Sequence, residues 1–195
     1  DEDMWKQLQK EYKDKYDMSW IGQYGFNNTY ALIVREEAAK KYNLTKTSQL
    51  AEVSDELVFG GNSDYIERKD GFHLLCDTYG LKFKDVKDID IGLKYEALKK
   101  GDIDVSNGFT TDAQLSNDNV RVLEDDKHLQ VNYFCSNVVR NDTLKSHPGL
   151  EEAIMKLDNS ITDKEMASLN YKVEVEGKED VQVAKDYLTE KGIIK

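Results

Sequence analysis

Short apolar runs and helical repeats alternate along the chain, and each pattern predicts a different kind of element. Residues 31–34 form a continuous apolar run directly after the turn-forming residues 24–28, which predicts a buried strand that leaves a turn. In residues 4–16 the large apolar side chains recur every three or four positions, as they do in an amphipathic helix. The apolar positions of this predicted helix are Trp5, Leu8, Tyr12 and Tyr16.

Between residues 31 and 123 strand patterns and helix patterns follow one another. This alternation predicts an α/β fold with a mostly parallel sheet flanked by helices. Predicted strands cover residues 57–59, 85–90, 102–109 and 120–123, and predicted helices cover 70–79, 92–100 and 111–115. The glycines at 80 and 101 are placed to end two of these helices.

Beyond residue 130 the pattern changes from a strand to helices. Residues 131–139, which are rich in aromatic and β-branched residues, predict a second long strand. The rest is helical: Pro148 lies in a predicted first turn, and residues 162–165 form a capping box, TDKE. No linker-like or repeated segment separates domains, so we expect strands near Tyr30 and Tyr133 to carry the boundaries. The predicted lobes are residues 1–30 with 134–195, and residues 31–133.

The charge balance narrows the class of partner. With 38 acidic and 27 basic residues the formal net charge is −11, which argues against nucleic acid and for an attraction to cations. No apolar run approaches the length that a bilayer requires, and no cleavable signal pattern is present. We therefore expect contact with a membrane only through a permease or an anchor outside these residues.

No arrangement of residues indicates catalysis, a metal or a cofactor. His73, His128 and His147 stand in different contexts, without a nucleophile set in a matching motif, and no glycine-rich phosphate loop occurs. The protein is therefore predicted not to be an enzyme. Cys76 and Cys135 are expected to be free thiols. The pair His73 and Cys76 has helical spacing, but it lacks two further metal ligands, and a buried helix face is the favoured interpretation.

Seven segments together point to one family. They are residues 25–32 (GFNNTYAL), 67–71 (ERKDG), 90–98 (DIGLKYEAL), 108–112 (GFTTD), 122–128 (VLEDDKH), 138–142 (VVRND) and 169–177 (LNYKVEVEG). With these segments the chain resembles the substrate-binding proteins of ABC importers for quaternary ammonium osmoprotectants such as glycine betaine, carnitine and choline. The resemblance runs from the first residue to the C-terminus, and it is specific only when the segments are taken together.

The resemblance implies a fold and a site. The fold is the type II periplasmic-binding-protein fold, in which two α/β lobes are joined by two crossing strands. The implied site is an aromatic cage around a trimethylammonium group: Tyr30 and Tyr133 match cage aromatics, and Phe109 stands where most members have tyrosine. Arg68 matches the arginine that holds a ligand carboxylate. Because members carry a region of roughly half a domain before the point that matches residue 1, we expect an incomplete first lobe with an unpaired sheet edge at the strand from Tyr30. We therefore expect the chain either to self-associate or to be poorly stable.

The chemistry of such a ligand agrees with these residue types. A quaternary ammonium group has no hydrogen to donate, so the faces of several aromatic rings are its favourable desolvated partners. Between Glu67 and Asp70, Arg68 fits either a surface ion pair or a bidentate carboxylate clamp, and we favour the clamp. Further candidate ligand-binding residues are Tyr65, Asn28 and Thr111; the last two we expect mainly to brace the site.

The predicted function is capture of a quaternary ammonium compound outside the cytoplasmic membrane for an ABC importer permease, with no cofactor. Attachment to the membrane would come from a lipid anchor or from fusion to a permease. An alternative ligand is ergothioneine, a trimethylated betaine, because importers for it have a similar binding domain. From another class, the chain is a degenerate lobe that binds no ligand and serves only in contact between proteins.

Overall fold

The chain folds into two compact units in the computed structural model, which describes residues 2–116 and 119–195. Unit 1 comprises Asp1–Asn28 and Tyr133–Lys195, and unit 2 comprises Thr29–Asn132. Relative to the predicted lobes, Thr29 and Tyr30 fall in unit 2 and Tyr133 falls in unit 1.

The described residues form seven β-strands and nine α-helices. The strands are β1 (Met18–Ile21), β2 (Tyr30–Arg35), β3 (Val58–Gly61), β4 (Asp85–Asp88), β5 (Val105–Phe109), β6 (Val120–Leu123) and β7 (Asn137–Arg140). The helices are α1 (Glu2–Tyr16), α2 (Glu36–Lys41), α3 (Ser63–Glu67), α4 (Phe72–Tyr79), α5 (Lys94–Lys100), α6 (Asn141–Ser146), α7 (Leu150–Met155), α8 (Asp163–Glu174) and α9 (Asp180–Glu190). Three 3-10 helices span Thr47–Glu52, Ser54–Glu56 and Ala113–Ser116.

Unit 2 is built on a five-stranded sheet in the order β4-β3-β5-β2-β6. Strand β3 is parallel to β4 and β5, whereas β2 is antiparallel to β5 and β6. The sheet is therefore mixed: β2 runs against its two neighbours, whereas the other four strands run in one direction, as a mostly parallel sheet requires. The unpaired edge expected at the strand from Tyr30 is wrong, since β2 is paired on both sides. Self-association stays a prediction, which light scattering can test.

The core of unit 2 lies on both faces of this sheet. Successive side chains of a strand point to opposite faces. Accordingly Leu32 and Val34 pack on one face with the large cluster around Phe59, and Ile33 packs on the other face with Leu98 and Ile103. Burial of both faces explains why β2 is a continuous apolar run rather than an alternating one.

Unit 1 pairs one helix with a short antiparallel ribbon. The predicted helix is confirmed as α1, and its aromatic side chains pack edge-on against Trp20 of β1, with ring centroids 5.7 Å away for Trp5 and 5.2 Å for Tyr12. Strand β1 pairs with β7. The long strand predicted over 131–139 is wrong: only its end belongs to β7, and Phe134 forms a single isolated bridge with Asn27.

Two helices near the C-terminus complete unit 1. The predicted capping box at the start of α8 is confirmed, because Thr162 accepts a hydrogen bond from the Glu165 amide and Glu165 accepts one from the Thr162 amide. Pro148 does not lie in a helical first turn; it falls between α6 and α7. Lys191, just after α9, donates to Glu165 over 2.5 Å, and this hydrogen bond lowers the pKa of the Glu165 carboxyl to about 2.

Candidate functional site

Two aromatic rings meet where strands β2 and β5 pair. Tyr30 is the first residue of β2, Phe109 is the last of β5, and the register places them directly opposite each other. Opposite residues of an antiparallel pair project from the same face of the sheet. Their rings stack with centroids 4.9 Å apart and an interplanar angle of 25°. Pairing of the two strands therefore builds a partly exposed aromatic surface.

A row of buried rings supports this surface from below. Tyr65 of α3 lies against Tyr30, with centroids 5.4 Å apart, and against Phe59 of β3, 6.3 Å away. Tyr65 is only 4% exposed, and burial raises the pKa of its hydroxyl well above the ordinary value. Phe59 in turn packs on Phe72 and Phe83 in the core. Tyr65 thus holds Tyr30 in place and offers little of its own ring to a ligand.

Arg68 lies beside the hydroxyl of Tyr30. It follows α3 in a tight turn that is closed by a hydrogen bond from the Gly71 amide to the Arg68 carbonyl. Its NH1 group donates to the Tyr30 hydroxyl over 3.3 Å. Its Nε and NH2 groups donate to the two carboxylate oxygens of Asp70, over 3.0 and 2.8 Å. These bonds lower the pKa of the Asp70 carboxyl, so the pair is charged at neutral pH.

A second charged group, the Asp112 carboxylate, holds the backbone of Phe109. The Asp112 carboxylate accepts hydrogen bonds from the Phe109 amide (3.1 Å), the Tyr95 hydroxyl (2.6 Å) and the Lys94 ammonium (3.2 Å). Lys94 is 5% exposed, and its ammonium lies 5.9 Å from the centroid of the Phe109 ring. Thr111, at the centre of this turn, is 6% exposed, which agrees with a bracing role.

Lys94 is a residue that sequence reasoning missed. It stands in a helix of mostly charged residues and was not singled out. A signal was present, because Lys94 and the fully buried Leu98 are separated by four positions, which places both on one face of α5. A lysine on a buried helical face requires an acidic partner, and Asp112 supplies it.

Two further predicted residues lie in unit 1. The amide of Tyr133 donates to the Asn27 side chain over 2.6 Å, and the amide of Asn28 donates to the Tyr133 carbonyl over 3.2 Å. The Tyr133 side chain is 58% exposed, and Asn28 is exposed as well. The backbone of residues 133–134 is therefore held beside residues 27–28, whereas the ring of Tyr133 is open to solvent.

Two cysteines and His73 were the candidates for thiol or metal chemistry. Both cysteines are free, as predicted, and burial raises the pKa of the Cys76 thiol to about 11. His73 is exposed, so the prediction that it belongs to a buried helix face is wrong. Within the described part of the chain no three His, Cys, Asp or Glu side chains are grouped so as to hold a metal ion.

The fold resembles that of a solved transport protein. The crystal structure of a glycine betaine/carnitine/choline ABC transporter matches with a TM-score of 0.89 and 38% sequence identity, covering 95% of this chain and 68% of that one. The architecture is thus that of periplasmic substrate-binding proteins, as predicted. Residues 2–190 match the family described as the substrate binding domain of ABC-type glycine betaine transport systems, and the chain belongs to that family.

Curated relatives show the same relationship. The ergothioneine transport permease/ergothioneine binding protein EgtU of Helicobacter pylori is 38% identical over 186 residues, which are 95% of this chain and 34% of that protein. The carnitine transport binding protein OpuCC of Listeria monocytogenes is 36% identical over 182 residues, 93% of this chain and 59% of that protein. The chain therefore spans about a third and about six tenths of these two relatives. The family is one of transporter substrate-binding proteins and not of enzymes.

The helices given above all lie within residues 2–116 and 119–195. None of the helices there combines the length and the apolar composition that a membrane crossing requires.

Proposed function

We propose that this chain captures a quaternary ammonium compound, namely glycine betaine, carnitine or choline, as the extracytoplasmic solute-binding part of an ABC importer. The bound compound passes to the importer's permease, and the protein is held at the membrane by a lipid anchor or by fusion to that permease. Family membership supports the transport role. The stacked pair of Tyr30 and Phe109, with the Arg68 guanidinium at its edge, is the observation that carries the ligand class.

The trimethylammonium group binds to the faces of these rings. A desolvated cation over a well-placed ring gains on the order of 1 to 2 kcal/mol, so several rings are needed for micromolar affinity after the costs of association. Tyr30 and Phe109 are both partly exposed and are held by the core beneath them, so their faces are fixed before ligand arrives. Rings that need no ordering lose little entropy on binding.

The other end of the ligand binds near Arg68. A ligand carboxylate accepts hydrogen bonds from this guanidinium, and the Tyr30 hydroxyl, which already accepts one from Arg68, can donate its own proton. Asn28 braces the site through the hydrogen bond from its amide to the Tyr133 carbonyl, and Thr111 braces the turn that follows Phe109. Tyr133 is assigned a ligand contact through the family resemblance, and its exposed ring in unit 1 is available for one.

Ergothioneine is the second candidate ligand. The H. pylori relative that is named for ergothioneine binding is 38% identical to this chain. Ergothioneine carries both a trimethylammonium group and a carboxylate, so the same rings and the same arginine suit it.

A calorimetric ligand panel tests the proposal. Glycine betaine, carnitine, choline and ergothioneine are titrated into the protein, with glycine as the control that lacks the methyl groups. We expect micromolar binding of at least one methylated compound and none of glycine. Tyr30→Ala should abolish most of this binding, whereas Tyr30→Phe keeps the ring and should retain it for choline. Absence of heat with all four compounds would contradict the proposal and favour a contact module.

A further inference from the structure

The guanidinium of Arg68 already holds a carboxylate of the protein itself. Two nitrogens, Nε and NH2, each donate to a different oxygen of Asp70, at 3.0 and 2.8 Å. This is the bidentate geometry in which arginine binds a free carboxylate. Asp70 therefore takes the two hydrogen bonds of Arg68 that the carboxylate of a zwitterionic ligand would otherwise accept.

The backbone keeps the two side chains together. Arg68 and Asp70 belong to the connection between α3 and α4, and the turn is closed by the bond from the Gly71 amide to the Arg68 carbonyl. Gly71 has no room for a side chain, because an added Cβ would overlap the carbonyl oxygen of Tyr65. A tight turn of this kind holds Asp70 at high local concentration beside Arg68.

Charge at this edge of the aromatic surface is also negative overall. Besides Asp70, the Asp64 carboxylate lies 3.8 Å from NH1 of Arg68. Two carboxylates thus face one guanidinium, and both are largely exposed to solvent. A ligand carboxylate that approaches Arg68 meets two like charges, whereas the same two carboxylates attract a ligand that is only a cation.

We propose that Asp70 determines ligand selectivity, because it competes with a ligand carboxylate for Arg68 and so disfavours zwitterionic betaines relative to choline. This inference rests on the proposed function. A betaine binds Arg68 only by displacing Asp70 or by sharing the NH2 group with it. Choline has a hydroxyl group in place of the carboxylate, so it leaves the pair of Arg68 and Asp70 intact and benefits from the negative charge.

The test compares two variants that each remove one negative charge. Asp70→Asn removes the carboxylate that competes for Arg68. Glu67→Gln is the control, because Glu67 is exposed and adjacent to Arg68 in sequence, but the ion pairs of Arg68 are with Asp64 and Asp70. Glycine betaine and choline are titrated into the wild type and both variants of the full-length protein as its gene encodes it. A thermal melt of each variant confirms that it is folded.

We expect Asp70→Asn to tighten glycine betaine binding about three- to fivefold, in the upper part of the range for an exposed ion pair. Choline binding should stay within about twofold or weaken, and Glu67→Gln should change the ratio of the two affinities by less than about 1.5-fold. An unchanged ratio in Asp70→Asn, or weaker betaine binding, would overturn the inference while leaving the proposed function in place. If the wild type binds neither glycine betaine nor choline but binds carnitine or ergothioneine, the inference is overturned and the proposed function is not; if it binds none of the four compounds, both are overturned.

Discussion

The two units differ in how deeply they bury apolar side chains. In unit 2 the strands β2, β3 and β5 supply fully buried residues such as Ile33, Phe59 and Val105, which are 0% exposed. Among the described residues of unit 1, the buried hydrophobic side chains are Ile21, Ile161, Ala167, Val183 and Tyr187. Between α8 and α9 an open apolar cavity of about 310 Å³ remains, lined in part by Ile161 and Val183.

This difference extends to the proposed ligand-binding residues. The rings of Phe109 and Tyr30 project from a packed sheet and contact each other, and the Tyr30 ring also contacts the buried ring of Tyr65. A substitution of either residue therefore alters the fold as well as the surface. Tyr133 of unit 1 is fixed through backbone hydrogen bonds, and the residue is 58% exposed. In the proposed site, substitution of Tyr30 or Phe109 should therefore change both binding and stability, whereas substitution of Tyr133 should change binding alone.

The sharpest test of the comparison is one substitution made once in each unit. Ile33→Ala in unit 2 should lower the free energy of unfolding by about 4 kcal/mol, because a side chain with no exposed surface leaves a closed cavity. Ile161→Ala in unit 1 should cost about 2 kcal/mol, because the residue already borders an open cavity.

The tryptophans make this measurable, since both of them, Trp5 and Trp20, belong to unit 1. Urea unfolding is followed by tryptophan fluorescence for unit 1 and by far-ultraviolet circular dichroism for the whole chain. Equal losses for the two alanine variants would contradict the stated difference in packing.

Local signals in the sequence predicted much of this fold. Gly80 and Gly101 end α4 and α5 in the left-handed conformation, with φ of 70° and 76°, as expected where a helix must stop. The capping box of α8 and the apolar run of β2 were also readable, because each depends on a few neighbouring residues. Strand direction was not, since a strand that is buried on both faces shows the same apolar run whether its neighbours are parallel or antiparallel.

The same limit applies to the candidate site. The resemblance singled out Tyr30, Phe109 and Arg68, yet the stacking of the two rings depends on the register of β2 with β5, which only the folded sheet sets. The strand prediction over 131–139 misled because a run of aromatic and β-branched residues does not by itself supply a partner strand. Asp70 was visible beside Arg68 as a simple ion pair, but its bidentate geometry depends on the turn at Gly71.

A second prediction contrasts the aromatic residues of the two units. Phe109→Ala should weaken quaternary ammonium binding by about 1 kcal/mol or more and should also lower stability by about 2 kcal/mol. Tyr133→Ala should weaken binding by a similar amount while changing stability by less than about 0.5 kcal/mol, because its ring is mostly exposed. Phe109→Tyr keeps the ring and serves as the mild control. Calorimetry and urea unfolding on the same samples separate the two effects, and a large stability loss in Tyr133→Ala would count against the contrast.

The smallest expected effect concerns the charged contact that joins α8 to the end of α9 in unit 1. The hydrogen bond from Lys191 lowers the pKa of Glu165 from 4.5 to about 2, so the folded state favours the ionised carboxylate. Stability from a group with a lowered pKa is fully present above the unfolded value and is lost as the pH falls towards the folded value. The pair is partly exposed, so solvent screens it and its contribution to stability is small.

Glu165→Gln keeps an acceptor for the capping box but not the charge. The variant should therefore be slightly less stable than the wild type at pH 7, and the difference should shrink between pH 4.5 and about 2. Tryptophan fluorescence during urea unfolding measures it, and a difference that stays constant over this interval would show that Lys191 does not stabilise unit 1 through Glu165.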